Sequence, residues 1–349
     1  MPAAAGRRAG TPAPLWVSFP RSSWRESLMN PAPIWILHDG KVGLRNQALG
    51  LAEAVGLPVS EKCLAIRYPW KMLPPALWLN ALAAPGPEGD VLEPPWPVLA
   101  IGAGGRAAAP ILAIRRAAAG RCLAVQIQNP RLAPRLFDLM VVPAHDQVQG
   151  PNVQVTQGAV HRVTHAKLAE AAALWESKLA FLPHPRVAVL IGGGNGIYRF
   201  GPDVARPLAA QLAALARSGA GLMITPSRRT GPEVEAILRD ALAGLPAVIW
   251  DGNGDNPYFA FLGLADHVIA TADSISMITE ASATGKPVHV VALDGGSAKF
   301  NRFHAGMTAA GITRPFSGSP DQWTYQPRDD TALAGQRIRT MMQERGLWP

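Results

Sequence analysis

Residues Ala265 to Val291 read ADHVIATADSISMITEASATGKPVHVV, and this stretch decides the fold class. It opens on an apolar run, His267 to Ala270, too short for a helix, and closes on another, Pro287 to Val291. Between them lies one amphipathic segment of helical spacing, so the unit reads strand, helix, strand. A parallel crossover of this kind puts the loop Thr271-Ala272-Asp273-Ser274 at the carboxyl end of its first strand. The loop offers N-cap residues, and Gly285 with Pro287 stops the helix. Asp273, Ser276 and Glu280 are spaced i, i+3 and i+7 and share a face, which leaves Ile275, Ile278 and Ala281 to pack on the sheet. A helix N-terminus suits a phosphate, and a carboxylate two turns in can accept from a pair of sugar hydroxyls. An ordinary, well-capped crossover fits the same spacing.

Working outward, the alternation continues on both sides. Upstream, Arg186 to Ile191 is a strand running into Gly192-Gly-Gly-Asn-Gly196 and a helix over 202–217. Gly221 to Thr225 is a strand, then Pro226-Ser-Arg-Arg-Thr-Gly231 and a helix over 232–243; Ala247 to Trp250 is a strand before Asp251 to Tyr258. Downstream, helices are expected over 298–310 and 331–345. Leu182-Pro-His-Pro185 reads as a linker, and a second series precedes it. There, strands fall at 33–37, 59–66, 97–101, 122–127, 139–142 and 153–156, with helices over 48–55, 71–83, 105–119 and 167–181. Two βα series of similar size imply an α/β chain of two Rossmann-like domains facing across a cleft. The expected bounds are an extension over 1–30, domains over 31–182 and 183–325, and a final helical segment over 326–349. The Ala-, Pro- and Arg-rich extension shows no period and reads as disordered, so Met29 could be the functional start.

With 48% hydrophobic and 17% charged residues the chain is globular. No apolar run reaches the roughly 18 residues of a membrane span, and no continuous apolar segment near the start suggests a signal peptide. Two cysteines, Cys63 and Cys122, suggest a reducing compartment, with the cytoplasm as the default. The formal charge is +8, and one block, Arg106, Arg115, Arg116, Arg121, Arg131 and Arg135, contains no acidic residue. Such a block could meet an anionic membrane surface, with the chain peripheral on the inner face of the cytoplasmic membrane, or a phosphorylated acceptor; solvated faces of separate helices explain it equally. No aromatic-interleaved signature accompanies it, which argues against nucleic acid.

Several loops carry chemistry. The glycines of 192–196 let backbone approach a ligand, but their phase is not GxGxxG, and no acidic residue ends the next strand, which disfavours NAD. Ser227-Arg228-Arg229 places guanidinium forks at a strand end, and Lys299 and Arg302 follow Gly295-Gly296. Asp255 and Asn256 add further polar groups. Each set has a bland reading as solvated surface, but four such loops at one sheet edge point together to phosphate and sugar. In the first domain, His38, Asp39 and Lys41 follow the first strand, and Asn46 and Gln47 open its helix. An Asp there can act as general base toward an acceptor hydroxyl, or cap the helix. HxH, HExxH, paired CxxC, GxxxxGK[ST] and GxSxG patterns are all missing, so no metal and no bound cofactor is expected.

Taken together, DGKxGxxNQxxGLAEAxG from Asp39, IGGGN from Ile191, SRRT from Ser227, GDNPY from Gly254, TADSxSMxxEAxxTGKPV from Thr271 and KFxRFH from Lys299 resemble the "elongated mitochondria" family of mitochondrial fission, whose bacterial members are regarded as candidate glycosyltransferases. The layout is also similar to the GT-B UDP-N-acetylglucosamine transferase that makes the lipid-linked peptidoglycan precursor. The resemblance implies a GT-B fold with a final helix crossing back to the first domain. It implies Glu280 on the donor ribose, Ser274, Ser276 and Met277 at the diphosphate, and Gly193, Gly194, Asn195 and Gly196 near base and phosphates. Asp273, Ser227, Arg228, Arg229, Asp255, Asn256 and Lys299 complete the expected donor side; Asn46, Gln47 and Arg106 the acceptor side; and Asp39, His38 and Lys41 the catalytic group. The expected reaction is metal-independent transfer of a sugar from a nucleotide-sugar donor to a hydroxyl of a cell-envelope glycolipid, such as a lipopolysaccharide precursor, or of an oligosaccharide. The alternative is a weak or inactive adaptor of the same fold that recruits partners at a membrane. Leu44 stands where the family pattern often carries His, which favours the adaptor.

Overall fold

Short apolar runs bounded by turn residues become strands in the computed structural model, which describes residues 33–348. The extension expected over 1–30 lies outside the described residues. The first six strands are β1 (Ile34–His38), β2 (Val59–Cys63), β3 (Leu99–Ala103), β4 (Leu123–Ile127), β5 (Leu139–Pro143) and β6 (Val153–Thr156). They form one parallel sheet in the order β2-β1-β3-β4-β5-β6. Then come β7 (Arg186–Ile191), β8 (Tyr198–Arg199), β9 (Gly221–Pro226), β10 (Ala247–Ile249), β11 (His267–Thr271), β12 (Val288–Val291), β13 (Asp294–Gly295) and β14 (Thr313–Pro315). The second parallel sheet runs β10-β9-β7-β11-β12-β14, and β8 pairs antiparallel with β13 in a separate ribbon.

Both faces of each sheet are covered, which is why the inner strands read as unbroken apolar runs. In β1, Trp35 and Leu37 face the helix Gly105–Ala117, while Ile34 and Ile36 face the helix Val42–Val55. In β7, Val187 and Val189 face the helices Pro202–Arg217 and Pro232–Leu242. Ala188 and Leu190 face the opposite layer, which holds His165–Leu179, Tyr258–Leu264, Ile275–Ser282 and Ala298–Ala309. The helix His165–Leu179, though it precedes the Leu182–Pro185 turn, packs along Tyr258–Leu264. The last helix, Asp330–Glu344, crosses back and seats Ala334, Ile338 and Met342 in the core of the first sheet. It lies along Val42–Val55 so closely that a Cβ on Gly335 would collide with Ala54. This is the GT-B layout, two doubly wound sheets with a returning helix.

Three expectations change. The helix expected over 71–83 is instead three 3₁₀ turns, Trp70–Met72, Pro75–Leu77 and Ala81–Ala83. Pro74 and Pro75 fall in its middle, where proline has no N–H to give and its ring blocks the turn before it. The first helix begins at Val42 rather than Ala48, so Asn46 and Gln47 lie within it instead of opening it. The strand β14 and the β8–β13 ribbon, two or three residues each, have no period long enough to read. No helix among the described residues is long and apolar enough to cross a membrane.

Candidate functional site

A doubly wound sheet has one place where successive crossovers run to opposite sides, and the loops there splay to leave a crevice. In the second sheet it lies between β7 and β11, in the first between β1 and β3. The loops at these two points are Gly192–Gly196 with Ala272–Ser274, and Asp39–Lys41 with Gly104–Arg106. The two sets face one another: a Cβ on Gly43 would lie 3.8 Å from Ser276 Oγ of the opposite sheet's helix.

On the second sheet, Asp273 organises the edge from beneath. Its carboxylate is fully buried and accepts from Thr271 Oγ1 (2.6 Å), Gly193 N (3.0 Å) and Arg229 Nη2 (2.9 Å). Arg229 also donates to Gly193 O, and Thr230 Oγ1 donates to Gly192 O. Cβ atoms on Gly192 and Gly193 would overlap the Asp273 carboxylate and the Arg229 carbonyl, so these two glycines exist for packing. Gly194 and Gly196 have open space instead and can face a ligand. Asp273 therefore precedes the helix and turns under the glycine loop, away from the face that Ser276 and Glu280 share. Arg229 is committed to it, whereas Arg228 is exposed and has no carboxylate partner among the described residues. The Ser227 hydroxyl accepts from Arg229 N within its own turn, and Asn195 Oδ1 accepts from Ile197 N and Tyr198 N, shaping the start of the ribbon.

The helix N-terminus is open to the cleft. Ser274 caps it by accepting from Met277 N (3.3 Å), leaving the first-turn N–H groups of Ile275 and Ser276 without an intrahelical acceptor. The Met277 side chain packs into the core, so that residue offers the cleft nothing beyond its capped backbone. Two turns on, Glu280 Oε2 accepts from the Tyr258 hydroxyl (2.6 Å), while Oε1 has no hydrogen-bond partner among the described residues. Burial lifts the Glu280 carboxyl to about 7, against the pull of the Tyr258 hydrogen bond and the Arg162 charge. Asp255 and Asn256 are exposed, and Asn256 Oδ1 accepts from Tyr258 N (3.0 Å), which sets the ring toward Glu280. Tyr258 and Arg162 as partners of Glu280 had no sequence signal, because contacts between separate loops leave no period.

Lys299 lies elsewhere than expected. Its ammonium pairs with Asp146 of the first domain (2.7 Å), and Arg302 donates twice to the His145 carbonyl. The helix carrying them is thus a strap between the domains. His304, from the same helix, donates from Nε2 to Ala272 O (2.9 Å) and supports the loop before the helix cap.

On the first sheet, Asp39 Oδ2 meets Lys41 Nζ (3.0 Å) and, more distantly, Arg106 Nη1 (3.9 Å). Its Oδ1 is buried with no hydrogen-bond partner among the described residues. Lys41 is largely exposed and covers the carboxylate. His38 turns inward: Nδ1 accepts from Gly40 N (3.1 Å), and Nε2 lies 3.4 Å from Glu61. Gln47 is buried and accepts from Gln128 (3.0 Å), bracing the end of β4, and Asn46 is half-buried. The Leu44 side chain fills the space above Gly104, between the two loops. Within the arginine block, Arg115 pairs with Asp138 and Arg106 leans toward Asp39. Among the described residues no three His, Cys, Asp or Glu side chains are grouped to hold a metal ion.

The arrangement has known counterparts. The fold is similar to that of the UDP-GlcNAc 2-epimerase of Methanocaldococcus jannaschii, with a TM-score of 0.53 at 10% identity over 89% of this chain and 99% of that one. An uncharacterised protein of Rickettsia prowazekii (strain Madrid E) is 26% identical over 88% of this chain and 97% of its own length. The mitochondrial fission protein ELM1 of Arabidopsis thaliana is 36% identical over 260 residues, 67% of this chain, and the match spans 61% of the plant protein. Residues 42–342, which include the loops Gly104–Arg106, Gly192–Gly196 and Ala272–Ser274 and most of the returning helix, match the mitochondrial fission ELM1 family, and the chain belongs to that family.

Proposed function

We propose that the cleft transfers a sugar from a nucleotide-sugar donor to a hydroxyl of a cell-envelope glycolipid or oligosaccharide. The observation that carries this reading is the pairing of the two switch points. An open helix N-terminus with a ribose-competent carboxylate faces a carboxylate that has one unpartnered oxygen. The donor diphosphate lies at the N–H groups of Ile275 and Ser276, with Arg228 in reach, and Glu280 Oε1 accepts from the ribose. Asp39 Oδ1 takes the proton of the acceptor hydroxyl as its oxygen bonds to the anomeric carbon. The bond from that carbon to the phosphate oxygen breaks, and the charge gathering on the diphosphate is met by the helix N-terminus. Lys41, the exposed cation paired with the neighbouring Oδ2, swings aside to admit the acceptor.

Titration calorimetry with UDP, GDP, ADP, dTDP and CMP tests the reading. One of them should bind; Glu280→Ala should weaken it roughly tenfold to a hundredfold, the loss of a charged hydrogen bond of about 1.5 to 3 kcal/mol. Asp39→Asn should leave that affinity near wild type. If no nucleotide binds, the donor assignment fails. A second reading, an adaptor that keeps the fold without turnover, is favoured by one observation: the apolar Leu44 side chain occupies the space between the two acceptor-side loops. Nucleotide binding with no sugar released from any donor, even by Leu44→His, would select it.

A further inference from the structure

The connection from β2 to β3 is where the chain departs most from what an α/β crossover requires. Prolines at 69, 74 and 75 forbid a helix, and three 3₁₀ turns replace it. The segment is nonetheless held firmly. Trp78 is buried and donates to Leu73 O (2.9 Å), Trp70 donates to Leu79 O (2.9 Å), and the turns pack against the helix Gly105–Ala117. From this braced plate Tyr68, Met72, Leu77 and Leu79 point outward, 67%, 74%, 59% and 85% exposed. A leucine 85% exposed lines no groove; it stands clear of its neighbours on all sides.

The charges within the segment itself are of one sign, with Glu61 and Glu88 bounding the run. Residues 62–87 contain Lys62, Arg67 and Lys71 and no acidic residue. Neither Arg67 nor Lys71 has a carboxylate partner among the described residues; each lies over an aromatic ring instead, Arg67 over Trp70 (5.3 Å) and Lys71 over Tyr68 (5.7 Å). Protruding apolar side chains, aromatic rings and unpaired cations in one short segment match the layers of a bilayer surface: acyl chains, interface and anionic headgroups. A folded protein partner would have to supply a separate hole for each protruding side chain.

We propose that residues 67–79 dock this protein on an anionic phospholipid surface. The segment leaves the cleft edge of the first sheet, where Leu64 N donates to His38 O (2.7 Å) beside the Asp39 loop. Docking there holds the acceptor side of the cleft at the lipid surface. That the membrane also presents a lipid-linked acceptor rests on the transferase reading; the docking does not.

Co-sedimentation of the full chain with phosphatidylcholine vesicles, with and without phosphatidylglycerol, tests the proposal. The protein should pellet with the anionic vesicles and release as salt rises. Met72→Ser, Leu77→Ser and Leu79→Ser together should cut vesicle affinity at least about tenfold. Arg67→Glu with Lys71→Glu should cut it by roughly fivefold per cation or more and flatten the salt dependence. The circular dichroism melt and nucleotide binding of these variants should stay as in wild type, since every altered side chain is exposed. If the triple variant melts early, a nitroxide at Leu79→Cys gives the answer instead, becoming immobile and oxygen-accessible only when anionic vesicles are added. Wild-type protein that ignores anionic vesicles, or a triple variant that pellets as wild type does, overturns the proposal. So does a wild-type dimer that the triple variant dissociates without any vesicle binding, or vesicle binding seen only once residues 1–32 are removed. Nucleotide binding that persists while vesicle binding fails rejects the docking and leaves the donor site standing.

Discussion

Glu280 shows how one side chain couples stability to ligand binding. Burial raises its carboxyl to about 7, so the fold prefers the neutral acid. The stabilisation is complete below the unfolded value of about 4.3 and is lost as pH rises through 7. Glu280→Gln keeps an acceptor for Tyr258 and removes the charge, so it should be more stable than wild type by up to roughly 3 kcal/mol at about pH 8, with the gap closing toward about pH 5. Denaturant titrations at the two pH values check this; a gap that does not change with pH would show that the carboxyl is not held neutral. Ribose hydroxyls that donate to Glu280 favour its ionised form, so nucleotide binding should release a proton near neutrality and tighten as pH rises toward 7. The glycine loop gives a second test. Gly193→Ala drives a Cβ into the Arg229 carbonyl, backbone that cannot retreat, and should cost roughly 1 to 3 kcal/mol, whereas Gly196→Ala, in open space, should cost little. Equal melting temperatures for the two variants would contradict the packing role. At this scale the sequence names the right loops and misjudges roles within them. Asp273 and Arg229 sit beside Ser274 and Arg228 in the chain, yet each spends its charge on the other, and only the folded edge separates brace from ligand-facing group.

Elements were legible where a period had room to repeat. The βαβ unit from His267 to Val291 appears as read, with the helix at Ile275–Ser282 and its cap at Ser274. The expected 71–83 helix fails because paired prolines outrank apolar spacing, and the first helix starts early because its first turn, with Gly43 and several polar residues, carries no apolar period to announce it. The Ala298–Ala309 helix lies where its spacing predicts, but its basic residues, expected at donor phosphates, lie elsewhere: Lys299 and Arg302 reach the turn Ala144–Asp146 of the other sheet. Lys299→Ala and Asp146→Asn should therefore be non-additive. Because the lysine is nearly half exposed, the coupling in a double-mutant cycle should be about 1 kcal/mol or less. If Lys299 served donor phosphates alone, Lys299→Ala would weaken nucleotide binding with or without Asp146→Asn.

Across the whole molecule, the two alternating series announce two sheets, while the contacts that join them leave no trace in either series. The returning helix is the largest of these. Ile338 and Met342 are fully buried in the first sheet's core, and each such side chain contributes about 1.5 to 3 kcal/mol. A chain ending at Asp329 should lose roughly 3 to 6 kcal/mol from that core, a large share of the 5 to 15 kcal/mol typical of a domain. It should bind a hydrophobic dye and unfold without a sharp transition in its first half; a two-step melt with the first step unchanged would refute this. The same helix also fixes an order of assembly. The second sheet closes within a continuous stretch, from the helix His165–Leu179 to β14, and can complete as soon as that stretch leaves the ribosome. The first sheet has all six strands by Thr156 and the helix Val42–Val55 on this face, but the part of the face that takes Ala334, Ile338 and Met342 stays uncovered until Asp330–Glu344 is synthesised. Made first and finished last, it keeps apolar surface open through most of translation, and a ribosome stalled near Asp329 would display one closed sheet tethered to an incomplete one.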